Sequence, residues 1–161
     1  MIRPATPDAT SDMIDLLVAC RMFDRDDSSV LTELFSDFFD SKSSEGHALL
    51  LNIEDDILRA LAYFQPMPAA DRVWDLTMIA VQPDVQGRGF GAHLITAVEE
   101  TLRSQGARLI IVDTSATEQY DLARKFYAKQ GYTEEGRIRD YWADGDDKIV
   151  FRKLLRVDPL H

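Results

Sequence analysis

Hydrophobic positions along the chain follow two patterns, which predict different elements. In some segments apolar residues recur every three or four positions, as on the buried face of a helix, and elsewhere they form short runs of strand length. Helices are predicted from Pro7, from Ser28 or Ser29, from Phe90 to Gly106 and from Ser115 to Gly131. Strands are predicted at residues 1–5, 48–53, 57–65, 73–81, 109–112, 133–142 and 148–154.

These elements predict an α/β (α+β) fold with a single domain over residues 1–161. Their order is strand, two helices, three strands, helix, strand, helix and two strands. This order favours a mixed, largely antiparallel sheet with helices on both of its faces. A chain of 161 residues is long enough to bury a sizeable core within one domain.

Two of the helices carry more specific predictions. The aromatic stripe of the second helix, which includes Phe35 and Phe38, is predicted to lie in the core. In the fourth helix, Ser115 followed by Glu118 predicts a capping box at the helix start. Leu122 is expected on the inward face of that helix.

Three glycines at alternate positions separate the strand at 73–81 from the next helix, in the run Gln86-Gly87-Arg88-Gly89-Phe90-Gly91-Ala92. The start of a helix leaves backbone N–H groups unpaired and attracts anions, phosphate above all. Glycines let a phosphate approach those groups and permit unusual backbone angles. Arg88 adds a positive charge beside them. Residues 86–92 therefore predict a pyrophosphate cradle.

Three kinds of phosphate-binding loop compete for this run. The Walker type requires a Lys after its last glycine, which is absent here. The dinucleotide type, G-x-G-x-x-G/A, fits Gly87 to Ala92, and Asp113 follows at a distance suited to a ribose contact. That fingerprint belongs in the first turn of a long alternating chain, whereas about 80 residues precede it here. The third type, Q/R-x-x-G-x-G/A, fits Gln86 to Gly91.

Residues 74–132 resemble the GCN5-related N-acetyltransferase (GNAT) family. The resemblance lies in the order of Val81-Gln82-Pro83, the Gln86 motif, the helix and strand that follow, and Phe126-Tyr127-Ala128-Lys129-Gln130-Gly131-Tyr132. It implies the GNAT fold, in which the two central strands splay apart and the acyl donor enters the gap. It also implies an acyltransferase that moves an acetyl group from acetyl-CoA to a primary amine, directly in a ternary complex and without a metal.

The resemblance implies how acetyl-CoA is held. Backbone groups of Ile79 and Val81 are expected to pair with the pantetheine arm like an added strand. Many members of the family carry Asn at the position of Tyr120, and here Ser115 or Thr114 is the candidate replacement. The cofactor-binding residues that the resemblance implies are Ile79, Ala80, Val81, Gln86, Gly87, Arg88, Gly89, Phe90, Gly91, Ala92, Ser115 and Arg124.

Tyr127 is the candidate acid for the departing thiolate. It lies at the edge of the apolar stripe set by Leu122 and Phe126, so its ring can pack while its hydroxyl faces a cleft. From the residues alone, a half-buried structural tyrosine with a hydrogen-bonded tip is the alternative. The resemblance implies that Tyr127 is the proton donor to the thiolate of CoA.

Asp75 is the candidate base for the amine. It shares a strand face with Thr77, Ile79 and Val81, and some family members carry a glutamate at this position. An aspartate is shorter and would need a water relay or a raised pKa. Two alternatives stay open: a carboxylate that orients the acceptor or simply meets solvent, and an amine that loses its proton to water alone.

Composition narrows the setting of this chemistry. The net charge of −10 disfavours nucleic acid and anionic membranes as partners, and it permits a cationic acceptor. Cys20 is the single cysteine, so no disulfide is predicted, and its place on an apolar helical pattern favours buried packing. No signal peptide and no apolar run of the roughly 20 residues that span a membrane are evident, so the predicted location is the cytoplasm.

The acceptor stays open at this point. A small amine, an aminoglycoside, a polyamine, a free amino acid and a protein N-terminus are all compatible with the residues, with a small cationic molecule favoured. Two competing classes are a dinucleotide-binding oxidoreductase and a non-catalytic module that senses CoA. Trp74, Tyr141 and Trp142 form either an aromatic wall near the acceptor or ordinary strand packing, and the resemblance implies that Phe35 or Phe38 could line the same groove. A homodimer through the terminal hairpin also stays open.

Overall fold

The computed structural model describes residues 1–155, and its helices and strands occur in the predicted order. The α-helices are α1 (Thr10–Ala19), α2 (Ser28–Asp40), α3 (Phe90–Ser104) and α4 (Asp121–Lys129). The strands are β1 (Ile2–Pro4), β2 (Ala48–Glu54), β3 (Ile57–Pro66), β4 (Val73–Val81), β5 (Leu109–Ser115), β6 (Thr133–Ala143) and β7 (Asp146–Leu154). Short 3₁₀ turns lie at Pro7–Ala9, Arg25–Asp27, Lys42–Glu45, Pro83–Val85 and Glu118–Tyr120.

In residues 1–155 the strands form a seven-stranded sheet with the order β1-β2-β3-β4-β5-β7-β6. The pairs β1–β2, β2–β3, β5–β7 and β6–β7 are antiparallel, and β4–β5 is parallel. A mixed α/β fold with a largely antiparallel sheet is therefore confirmed. The parallel register covers three pairs, Val73–Asp75 with Leu109–Ile111. Splaying of the central strands stays a prediction.

The chain divides into two compact units. The first holds Met1–Gln65 and Met78–Thr101, and the second holds Pro66–Thr77 and Leu102–His161. The described part of the second unit is residues 66–77 and 102–155. The end of β4 and most of α3 thus belong to the first unit, whereas β5, α4, β6 and β7 belong to the second. The single domain over residues 1–161 stays a prediction.

One hydrophobic cluster forms the core of the first unit. It joins the apolar faces of α1 and α2 to alternate residues of β2, β3 and β4. In α2 the buried residues Leu31, Phe35 and Phe38 recur at spacings of four and three, as the stripe predicted. Phe38 packs edge-to-face against Tyr63 of β3 with ring centroids 5.5 Å apart. The aromatic stripe is confirmed as core.

In the second unit, α4 packs an aromatic face onto β7. The ring of Tyr127 contacts that of Phe151 at a centroid distance of 5.5 Å and that of Tyr132 at 6.1 Å. The outermost strand, β6, is exposed at every residue. Lys153 of β7 donates to the carbonyl of Gln130 at 2.8 Å, which fixes the end of α4 beside the strand.

The start of α4 differs from the prediction. The helix begins at Asp121 after the turn at Glu118–Tyr120, and Ser115 lies in β5 instead of capping the helix. The side chain of Leu122 is 70% exposed, so the expectation that it faces inward is wrong. The helix starts six residues later than predicted, and its aromatic face consists of Phe126 and Tyr127, whose rings meet edge-to-face at 5.7 Å.

None of the helices in the described residues has both the length and the hydropathy that a membrane span needs. The same residues contain no group of three or more His, Cys, Asp or Glu side chains that could hold a metal ion.

Candidate functional site

The glycine loop of the first unit links β4 to the start of α3. Gly87 and Gly89 have φ angles of 80° and 94°, in the left-handed region that favours glycine. A Cβ atom on Gly87 would meet nothing within 4 Å, so backbone conformation, not crowding, calls for glycine there. Gly91 lies buried in the first turn of α3 without a positive φ, so the unusual backbone angles expected of it are not found.

A buried side-chain amide of β2 makes a hydrogen bond to the first residue of α3. Asn52 of β2, 4% exposed, donates from Nδ2 to the carbonyl of Phe90 at 3.3 Å. The helix runs for fifteen residues, and its first N–H groups have no intrahelical partner. Arg88 is exposed one residue before Gly89. The run from Gln86 to Ala92 therefore has the conformation and the charge of a site for an anion.

The side chain of Gln86 makes a hydrogen bond to the backbone at the end of β4. Its Nε2 donates to the carbonyl oxygen of Val81 at 3.3 Å, and the thiol of Cys20 donates to the same oxygen at 3.1 Å. Cys20 is only partly buried. It packs against the core cluster, as predicted, and also makes this polar contact. Burial raises the pKa of this thiol to about 11. The thiol therefore keeps its proton and acts as a donor at neutral pH.

Ile79, Ala80 and Val81 are the last residues of β4. Ala80 is buried in the core cluster, whereas Ile79 and Val81 are half-buried. The N–H of Gln82 donates to the carbonyl of Arg59 in β3 at 2.8 Å. Because the C=O and N–H of one peptide point in opposite directions, the carbonyl of Val81 points away from β3, and the alternation of a strand gives Ile79 the same direction.

Tyr127 lies in the second unit, and its side chain is buried, with 6% exposed. Burial is the main cause that raises its pKa well above the usual range, and the neighbouring Tyr120 and Asp75 raise it further. The phenol consequently remains protonated at neutral pH. The negative charge of Asp75 thus acts on the phenol of Tyr127, and a role of either residue in catalysis stays a prediction. Asp75 is half-buried, and its Oδ2 accepts a hydrogen bond from the hydroxyl of Thr77 at 3.0 Å.

Ser115 and Arg124 are both engaged in the loop between β5 and α4. The hydroxyl of Ser115 donates to Oδ1 of Asp146 at 2.5 Å and accepts from the N–H of Thr117 at 3.0 Å. Arg124 donates from Nη1 to the carbonyls of Ser115 at 2.6 Å and Thr117 at 2.8 Å. These contacts shape the loop that carries Tyr120. Binding of the cofactor by Ser115 or Arg124 stays a prediction.

Sequence reasoning missed Asp146. It starts β7, 31 residues after Ser115, and no local pattern links the two. Tyr120 stands where many members of the family that the chain resembles carry Asn, and no local pattern indicates its surroundings. Burial raises the pKa of Tyr120, and the carboxylate of Asp146 raises it further. These residues all belong to the second unit, where Ser115 and Asp146 are hydrogen-bonded and the charges of Asp146 and Asp75 act on Tyr120 and Tyr127.

The aromatic candidates separate into two groups. Tyr141 and Trp142 of β6 form a T-shaped pair at 4.7 Å and are 51% and 48% exposed. The indole N–H of Trp142 donates to the carbonyl of Thr114 at 3.2 Å, and Nζ of Lys148 lies 4.3 Å from the centroid of the Tyr141 ring. Phe35 and Phe38, at 0% and 5% exposure, belong to the core, so the suggestion that either lines a groove is wrong.

Comparison with known proteins gives a consistent result. The model of the acetyltransferase (GNAT) family matches residues 10–132. An amino-acid acetyltransferase from Ralstonia nicotianae is 31% identical over 101 residues, which make up 62% of this chain. That stretch is 22% of the relative, so the chain spans about a fifth of the relative's length.

Many solved structures have a similar fold, and two of them illustrate the likeness. A GNAT-family protein from Desulfovibrio desulfuricans superposes with a TM-score of 0.88 at 27% identity and covers 97% of this chain and 99% of its own. The yncA protein from Salmonella typhimurium, solved with its cofactor acetyl-CoA, has a TM-score of 0.80 at 14% identity. The latter match covers 99% of this chain and 96% of the other, and at that identity it shows the fold alone.

Proposed function

The chain belongs to the acetyltransferase (GNAT) family, and we propose on that basis that it moves an acetyl group from acetyl-CoA to a primary amine within a ternary complex. The observation that carries the proposal is the loop Gln86–Ala92. Its two left-handed glycines lead into the start of a fifteen-residue helix beside an exposed arginine. This is the arrangement that receives the phosphates of a nucleotide.

The residues of the first unit fit the proposed acyl donor. The loop from Gln86 to Ala92 would hold the pyrophosphate through backbone N–H groups, with Arg88 contributing charge. The edge of β4 at Ile79 and Val81 would pair with the pantetheine arm as an added strand does. Arg124 and Ser115 of the second unit are proposed as further cofactor contacts, acting from the loop that they shape.

The chemistry proposed for the second unit is proton transfer. The amine nitrogen attacks the carbonyl carbon of the thioester, a C–N bond forms and the C–S bond breaks. The hydroxyl of Tyr127 gives its proton to the departing sulfur, and the raised pKa of Tyr127 keeps that proton available at neutral pH. The proton lost by the amine passes to Asp75, directly or through a water molecule. A thioester is already activated, so positioning accounts for much of the rate.

The acceptor proposed is a small cationic amine. The chain carries a net charge of −10, which favours a positively charged molecule over nucleic acid or an anionic surface. The name of the Ralstonia relative adds free amino acids as a class to test, and a protein amine is the broader alternative. The cytoplasm as location, the absence of a metal requirement and a homodimer remain parts of the proposal.

Calorimetric titration tests the cofactor directly. The purified protein would be titrated with acetyl-CoA, and with NAD in a parallel cell. We expect acetyl-CoA to bind in the micromolar range, roughly −8 kcal/mol, and NAD not to bind. Binding of NAD alone would contradict the proposal and favour a dinucleotide-binding oxidoreductase. Binding of acetyl-CoA without turnover on any amine would favour a CoA sensor.

A further inference from the structure

The last peptide of β4 is held by three hydrogen bonds from three separate segments. The N–H of Gln82 donates to the carbonyl of Arg59 in β3 at 2.8 Å. On the opposite side of the same peptide, the carbonyl of Val81 accepts from the thiol of Cys20 at 3.1 Å and from the amide of Gln86 at 3.3 Å. Most strand peptides have one partner on each side, so this peptide is fixed more firmly than strand pairing requires.

Both donors act on the edge of β4 that points away from β3. A carbonyl oxygen has two lone pairs, and Cys20 and Gln86 supply one donor for each. A ligand that adds along this edge as a strand therefore finds the N–H of Val81, with its carbonyl already engaged. In a strand, the N–H and the C=O of one residue point to the same side, so the N–H of Val81 also points away from β3.

Each donor comes from an element whose own position is fixed. Cys20 is the C-cap residue of α1, and its N–H bonds the carbonyl of Leu16 at 3.0 Å. Its side chain packs against the core cluster, which directs the thiol at β4. Gln86 opens the glycine loop directly after the turn Pro83–Val85. The two hydrogen bonds thus connect the core and the loop to a single oxygen atom.

We propose that Cys20 and Gln86 are positioning residues for acetyl-CoA. Their hydrogen bonds fix the carbonyl of Val81 and hold the edge of β4 in the orientation that pairs with the pantetheine arm. Gln86 acts in this way through its side chain, while its backbone belongs to the phosphate loop. The inference rests on the proposed function, because it assumes that acetyl-CoA pairs with this edge.

Steady-state kinetics of single variants test the role of Cys20. Cys20→Ala removes the donor, and Cys20→Ser keeps a donor on a side chain of similar size. We expect Cys20→Ala to raise the KM for acetyl-CoA about two- to tenfold, as for one neutral hydrogen bond, with kcat within twofold of wild type. Cys20→Ser should restore KM to within about twofold. A serine variant that folds and behaves like the alanine variant would overturn the role of the hydrogen bond.

Gln86→Glu provides a second, independent test at the surface of the protein. It keeps the size of the side chain but replaces the donor with an acceptor, so the carbonyl of Val81 keeps only the hydrogen bond from Cys20. We expect a rise in KM for acetyl-CoA at least as large as for Cys20→Ala. Asp84→Asn, an exposed change in the turn directly before the loop, is the control and should leave KM unchanged. Equal KM values for Gln86→Glu and wild type would overturn the proposal.

The same measurements distinguish a failure of the proposed function from a failure of the positioning role. A wild-type protein that neither binds nor turns over acetyl-CoA would overturn the proposed function. A wild-type protein that turns over acetyl-CoA, with Cys20→Ala and Gln86→Glu variants of unchanged KM, would leave the function intact and overturn the positioning role. Thermal unfolding of each variant checks that a change in KM does not reflect loss of folded protein.

Discussion

Replacing Tyr127 with phenylalanine removes one oxygen atom and leaves the ring in place. The ring packs against Phe126, Tyr132 and Phe151 at centroid distances of 5.5 to 6.1 Å, and phenylalanine can keep these contacts. The variant should therefore remain folded. What it loses is the proton that burial holds on the phenol at neutral pH.

The expected loss in rate follows from this role. A positioned general acid contributes about 10²- to 10⁴-fold, and a thiolate leaves more readily than an alkoxide or an amine, so the lower end of that range applies. We expect Tyr127→Phe to lower kcat about 100-fold, or about 2.7 kcal/mol in activation free energy. The KM for acetyl-CoA should stay within about twofold, because the hydroxyl is not assigned to binding.

Release of CoA can be followed with a chromogenic thiol reagent. The chain has one cysteine, Cys20, and a pKa of about 11 makes it a slow competitor for the reagent. Calorimetry with acetyl-CoA on the same variant gives the affinity separately. A Tyr127→Phe variant with wild-type kcat and normal folding would refute the assignment of Tyr127 as the acid. A sensor without catalysis would show no turnover in either protein.

Three further predictions follow from contacts already described. Gly89→Ala places a side chain at a φ of 94°, with its Cβ 3.8 Å from the ring of His93, so we expect a loss of about 1 kcal/mol in unfolding free energy by urea titration and weaker acetyl-CoA binding by calorimetry. Ser115→Ala leaves the carboxylate of Asp146 without its 2.5 Å partner, and we expect a cost of about 1–2 kcal/mol in the same titration; an unchanged midpoint would contradict the role of that contact. The pKa of Cys20 rises from 9.0 to about 11 on folding, so the thiolate forms more easily in the unfolded chain, and the stability present below pH 9 is lost as pH rises through 11. The shift of about two pH units, discounted because the side chain is only partly buried, predicts that wild type loses about 1 kcal/mol more unfolding free energy between pH 9 and 11 than Cys20→Ser does. Equal pH dependence of the two proteins would contradict this prediction.

The order and type of the elements could be predicted because their signals are local. The stripe of α2 and the alternation of β4 are set by residues a few positions apart, and both appear in the structure with nearly the predicted bounds. The glycine loop was predictable for the same reason, since its conformation depends on consecutive residues. Gly87 and Gly89 adopt the left-handed conformation expected of them.

The start of α4 shows where local reasoning fails. Ser115 and Glu118 have the spacing of a capping box, but the oxygen of Ser115 accepts from the N–H of Thr117, and its hydroxyl donates to Asp146, which comes 31 residues later. Ser115 pairs with Lys148 of β7 as the last residue of β5, the helix starts only at Asp121, and Leu122 lies in solvent. The sequence pattern could not indicate this competition, because it depends on a strand pairing formed only in the folded chain.

The contact between Cys20 and Val81 escaped prediction for a related reason. The two residues are 61 positions apart, and a cysteine on an apolar helical face is more often packed than hydrogen-bonded. The sequence indicates which side chains enter the core. It does not indicate which backbone carbonyl lies opposite the end of a given helix.

Transfer of a labelled acetyl group is the most direct test of whether this chain is an N-acetyltransferase. The protein would be incubated with acetyl-CoA that carries a ¹³C-labelled acetyl group and with a panel of polyamines, aminoglycosides and free amino acids, and the products would be analysed by mass spectrometry. We expect at least one amine to gain the labelled acetyl group, with one CoA released for each amide formed, and Tyr127→Phe to slow this transfer about 100-fold. If no amine in the panel and no protein amine gained the label, although acetyl-CoA bound, the account of the chain as an N-acetyltransferase would be contradicted.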